Sequence, residues 1–165
     1  MAKYPCQEAL DFANQAKDNT ALRREADIAA KKIQSTLFAK TLKVKASRNN
    51  NAAKNAIDGN IGSRWDTGGA MRPGDWFELD LGVERTITGL ILDTRNSGND
   101  FPRGYDVYAS FAGGDWGSPI LSADKAESLH KISFKKPVTT RFIKIVQKGK
   151  TEVWHWSIHE LIVEY

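Results

Sequence analysis

The chain is poor in cysteine: Cys6 is the single one among 165 residues. No intrachain disulfide can form, so a cysteine framework cannot hold the fold. Nothing near Cys6 would activate its thiol for catalysis. No apolar run approaches 18 residues, so no membrane insertion by a helix is expected. Met1 to Phe12 is mixed and polar, without the pattern of a secretory leader, and the start reads as a fragment of a longer chain. Basic charge is scarce where most of the chain lies. The net charge is +4, but residues 1–50 hold ten Lys/Arg against five Asp/Glu, and the rest hold fourteen against fifteen. A near-neutral larger part lacks the basic stripe of a nucleic-acid binder, so no nucleic-acid partner is expected. Catalytic signatures are also missing. There is no Gly-x-Ser-x-Gly elbow and no phosphate-binding loop. His155 and His159 have chelating spacing only on a helix; along a regular strand four residues span roughly 13 Å. His159-Glu160 does not continue to a second His in the zinc-protease pattern.

What is present divides into two parts. Residues 5–17 predict a helix, with Pro5 in its first turn and Ala9, Leu10, Ala13 and Ala16 as an apolar stripe. Asp18-Asn19-Thr20 is a turn in which Asn19 or Thr20 can cap the next helix. Residues 21–38 place Leu22, Ala26, Ala29, Ile33 and Leu37 on one face, with Arg23, Arg24, Lys31 and Lys32 off it. Residues 1–40 are therefore expected to form an αα-hairpin. It resembles the last repeat of a HEAT-like array, and reads equally well as a helical linker.

From residue 41 the period changes. Thr41 to Ser47 alternates as a half-buried strand does. Residues 48–74, rich in Asn, Gly and Asp, predict mostly loop. Strands are expected at 75–81, 85–93, 104–110, 130–134, 139–147 and 156–164, with turns at Gly82, Ser97-Gly98-Asn99, Gly113-Gly114 and Gly149. Phe77, Leu79 and Leu81 alternate with Trp76, Glu78 and Asp80, and Leu161, Val163 and Tyr165 with Glu160, Ile162 and Glu164. Strand 85–93 is apolar on both faces, as a central strand would be. Many short strands with such turns indicate an antiparallel sandwich or barrel, and the missing strand–helix–strand rhythm argues against an α/β fold.

One ordered set of motifs goes further. It runs Asn55-Ala56-Ile57-Asp58-Gly59-Asn60, Ser63-Arg64-Trp65, then Pro73 through Gly82. Phe101-Pro102-Arg103-Gly104-Tyr105-Asp106-Val107 follows, then a hairpin from Ser110 to Trp116, Thr140 through Ile145, and Trp156 through Leu161. Residues from about 42 to 165 thus resemble a discoidin domain, the factor 5/8 type C family, whose sugar-binding members are the family 32 carbohydrate-binding modules. Phe111-Ala112-Gly113 departs from the family by lacking the usual acidic residue before the glycine. The resemblance implies an all-β, jelly-roll-like antiparallel β-sandwich of about eight strands in residues 41–165, following the N-terminal αα-hairpin. It implies a non-catalytic carbohydrate-binding module, monomeric, within a larger multidomain protein that is extracellular, periplasmic or on the cell surface. A lipid- or protein-binding discoidin domain, with Met71 and Phe101 as loop spikes, and a structural spacer are the alternatives.

Asp58-Gly59 in a polar loop offers the hard oxygen ligands that Ca²⁺ prefers, and reads equally as a capped turn. The resemblance implies a structural Ca²⁺ held by Asp58 and Glu160 carboxylates, backbone carbonyls of Asn55, Asn60 and His159, and Ser63. A glycan is expected in loops 64–75, 94–103 and 148–156, through Asp66, Arg72, Arg95, Asn96, Asn99 and Trp154. By the resemblance, Arg95 falls where galactose-binding relatives have an arginine, and Asp66 where many have a histidine. Trp154 is either the stacking platform or a rim aromatic packed on Trp156. Trp65, Trp76, Trp116 and Trp156 are expected in or near the core. Glycosidases need a facing carboxylate pair; carboxylates are common here, at Asp66, Asp75, Asp80, Asp93, Asp100, Asp106 and Asp115, and it is the resemblance to an ancillary module that implies no catalysis.

Overall fold

The computed structural model describes residues 7–39 and 41–165; Pro5 and Cys6 lie outside them, as do the side chains of Lys31 and Lys32. The chain divides into two compact units at Thr41/Leu42.

The first unit is a helical pair, α1 (Gln7–Gln15) and α2 (Arg23–Ala39), joined through a 3-10 turn at Ala16–Asp18. Asn19 closes the junction, its side-chain oxygen accepting the Ala21 N–H at 3.0 Å. Ala13, Ala26, Ala30 and Phe38 are buried. Small alanines let the two backbones approach closely, while Phe12, Leu22 and Ile28 remain exposed.

The second unit contains eight strands: β1 (Lys43–Ala46), β2 (Trp65–Asp66), β3 (Trp76–Asp93), β4 (Tyr105–Ser110), β5 (Leu121–Ala123), β6 (Leu129–Gln147), β7 (Ser157–Ile158) and β8 (Glu160–Glu164). The main sheet runs β1-β3-β6-β4-β5, with β8 also on β3, and β2 pairs β7 separately; every pairing is antiparallel. β3 and β6 are each one long strand where two short ones were expected. Gly82 is not a turn but part of a bulge, with φ of 80°, between the pairs Asp80–Phe142 and Arg85–Thr140. Pro137 is tolerated because residues 134–137 lie unpaired between Ile87–Val138 and Gly89–Ser133. Bulges bend strands, which lets one sheet wrap the core. The core holds Phe77, Leu79, Leu81, Ile87, Leu90, Leu92, Val107, Ile132, Ile143, Ile145, Leu161 and Val163 on the inward positions. Tyr165, next in that alternation, is instead half exposed.

Two other expectations change. Residues Asn50–Ile57 are a 3-10 helix, not loop. Asn50 starts it by accepting the Ala46 N–H at 2.9 Å, and Ala53 and Ala56 bury its inner face. The four consensus tryptophans split. Trp65 and Trp156 are fully buried and pack edge to face at 5.1 Å. Trp76 and Trp116 are half-buried, because their rings flank the Lys144 ammonium at 4.3 and 4.8 Å on the outer face of the sheet.

Candidate functional site

Loops 58–66, 66–75, 94–103 and 148–156 are tied together by direct hydrogen bonds. Thr67 and Trp156 exchange two of them, Thr67 N–H to the Trp156 carbonyl at 3.0 Å and Trp156 N–H to the Thr67 hydroxyl at 3.1 Å. Met71 N–H donates to the Trp154 carbonyl at 2.9 Å, and Ser157 N–H to the Asp100 carbonyl at 2.9 Å. Gly149 is required where it stands: a Cβ there would lie 2.2 Å from the Arg103 carbonyl oxygen. The absent side chain lets loop 148–156 close onto loop 101–103.

Arg64 is the hub of the polar array. Its Nε donates to Asp66 Oδ2 at 3.0 Å, its Nη1 donates to Ser97 Oγ, and Asp100 Oδ2 lies 3.7 Å away. Asp66 Oδ1 accepts the Gly68 N–H at 2.7 Å and faces His155 Nδ1 at 3.5 Å. Burial pushes the Asp66 carboxyl upward, but the Gly68 N–H, Arg64 and His155 outweigh it and hold it below the usual carboxylate range. Asp66 is thus a fixed anion that orients Arg64 and lies close to His155. Trp154, one residue before His155, is 45% exposed at the rim. Its carbonyl takes bonds from the Met71 N–H and the Thr151 hydroxyl.

The other expected ligand residues fall around this array. Arg95, Asn96 and Ser97 form a 3-10 turn. Arg95 is exposed, yet Nε and Nη2 grip Asp93 at 3.1 and 2.5 Å, so part of its fork is already engaged. Asn96 Nδ2 donates to the Ile61 carbonyl at 2.8 Å. Asn99 offers its carbonyl to Arg103 Nη2 at 2.8 Å. Arg72 is exposed, and its N–H donates to Asp75 Oδ2 at 2.8 Å. Met71, expected on the loop surface, is fully buried, with Gln147 Nε2 2.5 Å from its sulfur. Phe101 is half-buried beneath the Arg103 guanidinium, 4.0 Å from the ring centroid. Neither is an apolar spike.

Of the expected metal residues, Asp58, Asn60 and Ser63 are hydrogen-bonded to one another, and Glu160 reaches the same loop at Gly59. Asp58 Oδ2 accepts the Ser63 hydroxyl at 2.6 Å, and Oδ1 the Asn60 N–H at 2.8 Å. The Asn60 carbonyl accepts the Ser63 hydroxyl at 2.8 Å. Glu160, at the start of β8, accepts the Gly59 N–H at 3.0 Å. Asn55 holds the Arg64 carbonyl through Nδ2 at 3.0 Å. Burial raises the Glu160 carboxyl to about 7; the Gly59 N–H opposes this, and the charges of Asp58 and Asp93 add to it. Among the described residues neither Asp58 nor Glu160 pairs with a Lys or Arg, and no group of three or more His, Cys, Asp and Glu side chains gathers. An oxygen set of two carboxylates, carbonyls and a hydroxyl suits a hard cation and not zinc.

The factor 5/8 type C domain profile matches residues 39–161. The chain belongs to the F5/8 type C family. It is 37% identical over 125 residues to a sialidase of Micromonospora viridifaciens, a match covering 72% of this chain and 19% of that protein. The chain spans under a fifth of the length of the curated relatives it matches. Among solved structures, a family 32 carbohydrate-binding module of C. perfringens in complex with galactose is similar at 23% identity and TM-score 0.62, covering 76% of this chain and 95% of that one. A family 32 module in complex with 4,5-unsaturated mannuronic acid is 25% identical at TM-score 0.59, covering 74% and 94%. The fold is that of the discoidin-type sandwich. In this F5/8 type C domain, sequence reading missed Arg64, Ser97, Asp100 and His155. Arg64 stood inside a family motif and His155 beside Trp154, but only the folded loops bring them together.

Proposed function

We propose that residues 42–165 form a non-catalytic module that binds a glycan at this loop cluster, within a larger extracellular protein. The carrying observation is the exposed Trp154 beside the Arg64–Asp66–His155–Ser97 array. An indole face takes the apolar side of a sugar ring, and planar donors take its hydroxyls or a ring carboxylate. Sugar complexes of the family 32 relatives support this reading. The burial of Met71 and the cover over Phe101 weigh against a lipid-inserting alternative. A proton-donating acid of the glycosidase kind needs a raised pKa, whereas Asp66 is held low and tied to Arg64; this supports a binding role.

The same reading includes Ca²⁺ between Asp58 and Glu160, with Asn55, Asn60 and His159 carbonyls and Ser63 completing the oxygen set. Bound there, the cation would neutralise two carboxylates and cross-link the 58–63 loop to β8. A glycan array with galactosides, uronates and sulfated sugars, in Ca²⁺ buffer, tests the function. Binding at about millimolar to tens of micromolar, roughly −4 to −6 kcal/mol, is expected. No signal across the array from folded, Ca²⁺-loaded protein would sink the reading.

A further inference from the structure

Two sites, one for the cation and one for the glycan, are joined by a buried side chain. His159 is 4% exposed and sits in the break between β7 and β8. Its Nδ1 meets the Ile61 carbonyl at 2.9 Å, inside the 58–63 loop. Its Nε2 meets Ser97 Oγ at 2.8 Å, inside the 94–103 loop. Chemistry assigns the protons. A carbonyl only accepts, so Nδ1 carries the hydrogen, and in a neutral ring Nε2 then accepts. The Ser97 hydroxyl therefore donates to Nε2, leaving its lone pairs for the Arg64 guanidinium, which only donates. The relay has one polarity: Arg64 to Ser97, Ser97 to His159, His159 to Ile61. Asn96 adds a second tie to the same carbonyl at 2.8 Å.

We propose that His159 is a positioning residue whose ring couples the cation loop to the glycan loop. This rests on the function proposed above. A cation that fixes residues 58–63 fixes the Ile61 carbonyl. That carbonyl holds His159 and Asn96, and His159 holds Ser97 and hence Arg64. Ordering one loop lowers the cost of ordering the other, so the two ligands bind with positive and reciprocal coupling. A histidine that merely fills a buried space would transmit nothing.

Hydrogen exchange of the full chain, with and without Ca²⁺ alone, separates these cases, and calorimetry of Ca²⁺ runs beside it. Ca²⁺ is expected to slow exchange of the Ser97 and Asp100 amides, which close the 94–100 turn onto Thr94 and Ser97 at 2.7 and 2.8 Å. The expected slowing is about fivefold or more, the lower end of typical coupling. Ser97→Ala should bind Ca²⁺ as wild type does and lose that slowing, while Ser97→Thr, which keeps the hydroxyl, retains it. Ca²⁺ heat without slowing in the wild type overturns the coupling and leaves the cation site standing. Equal slowing in Ser97→Ala also overturns it. Absence of Ca²⁺ heat removes the cation site and this inference together, while the glycan array result stands apart from both. Ca²⁺ heat without slowing in the wild type decides against the coupling even if a variant fails to fold.

Discussion

The carboxylate of Glu160 accepts the Gly59 N–H across 101 positions of sequence, at 3.0 Å. That bond draws a half-buried acid to within reach of Asp58 and leaves two anions facing one loop. If Ca²⁺ occupies the place between them, chelation removes a ligand that binds the native state alone. At a hundredfold excess over Kd this costs about 2.7 kcal/mol, roughly 5–10 °C in Tm for a domain of this size. Thermal melts with Ca²⁺ and with EGTA measure it. Glu160→Gln should abolish the Ca²⁺ shift, yet in EGTA at pH 8 it should melt no lower than wild type, because it removes a half-buried negative charge that Asp58 and Asp93 repel. A lower melt in EGTA would mean that Glu160 stabilises the fold without a metal.

Trp154 and Trp65 should behave in opposite ways. Trp154→Ala is expected to abolish glycan binding with the melt unchanged within about 0.5 kcal/mol, as for an exposed site. Trp65, packed on Phe77 at 4.8 Å and on Trp156, should cost about 3–5 kcal/mol on replacement by Ala. Calorimetric titration against an array-identified sugar, paired with urea denaturation, checks both.

Arg95→Lys keeps charge and loses the fork that grips Asp93. Weakened glycan binding, by about tenfold or 1.4 kcal/mol, is expected if the fork meets sugar. Wild-type affinity would assign Arg95 to Asp93 alone.

The Trp116 ring contributes through Lys144 and not through the core. Trp116→Ala should therefore cost about 0.5–2 kcal/mol, the range of a cation–π contact, well below the Trp65 loss. Equal losses in urea denaturation would return Trp116 to the core.

Acid sensitivity follows from Asp80. Its side-chain hydrogen bonds with Arg141, at 2.9 and 3.1 Å, together with the Gly82 N–H and the Arg141 charge, outweigh burial and hold it below the usual carboxylate range. A depressed folded pKa gives stability that is complete above the unfolded value near 3.9 and fades as pH falls through the folded one. Asp80→Asn should therefore narrow the Tm gap between pH 6 and pH 3. An unchanged gap would discard the assignment.

The sheet was legible in sequence where alternation was strict, as at Phe77 to Leu81. Boundaries failed where a glycine or proline marks a bulge, because Gly82 and Pro137 look like turns until a partner strand is seen to run past them. The short β5 carries too few residues for a period. At the site, Trp154 and Asp66 could be placed in loops, and the loop-bearing motif contained Arg64. What could not be read was which side chains spend their capacity on each other. Asp66 is consumed by its near neighbours Arg64 and Gly68, a choice that only the folded loop makes, and Met71 is drawn inward by Gln147, 76 positions away in the chain.

β1 and β8 lie along one edge of β3 at opposite halves, Lys43 across from Asp80 and Glu164 across from Gly89. Both run antiparallel to β3, so their outer ends face its middle, less than about 30 Å apart at strand rise. Tension applied at Lys43 and Glu164 would fold each strand back along its own length. Ladder pairs would then open singly, as in a zip, instead of resisting together in shear. On the β8 side the last pair to part is Asp93–Glu160, whose glutamate is also fastened to Gly59. A pull along the chain is thus spent on the strand edge before it reaches the loops that carry Trp154 and Arg64.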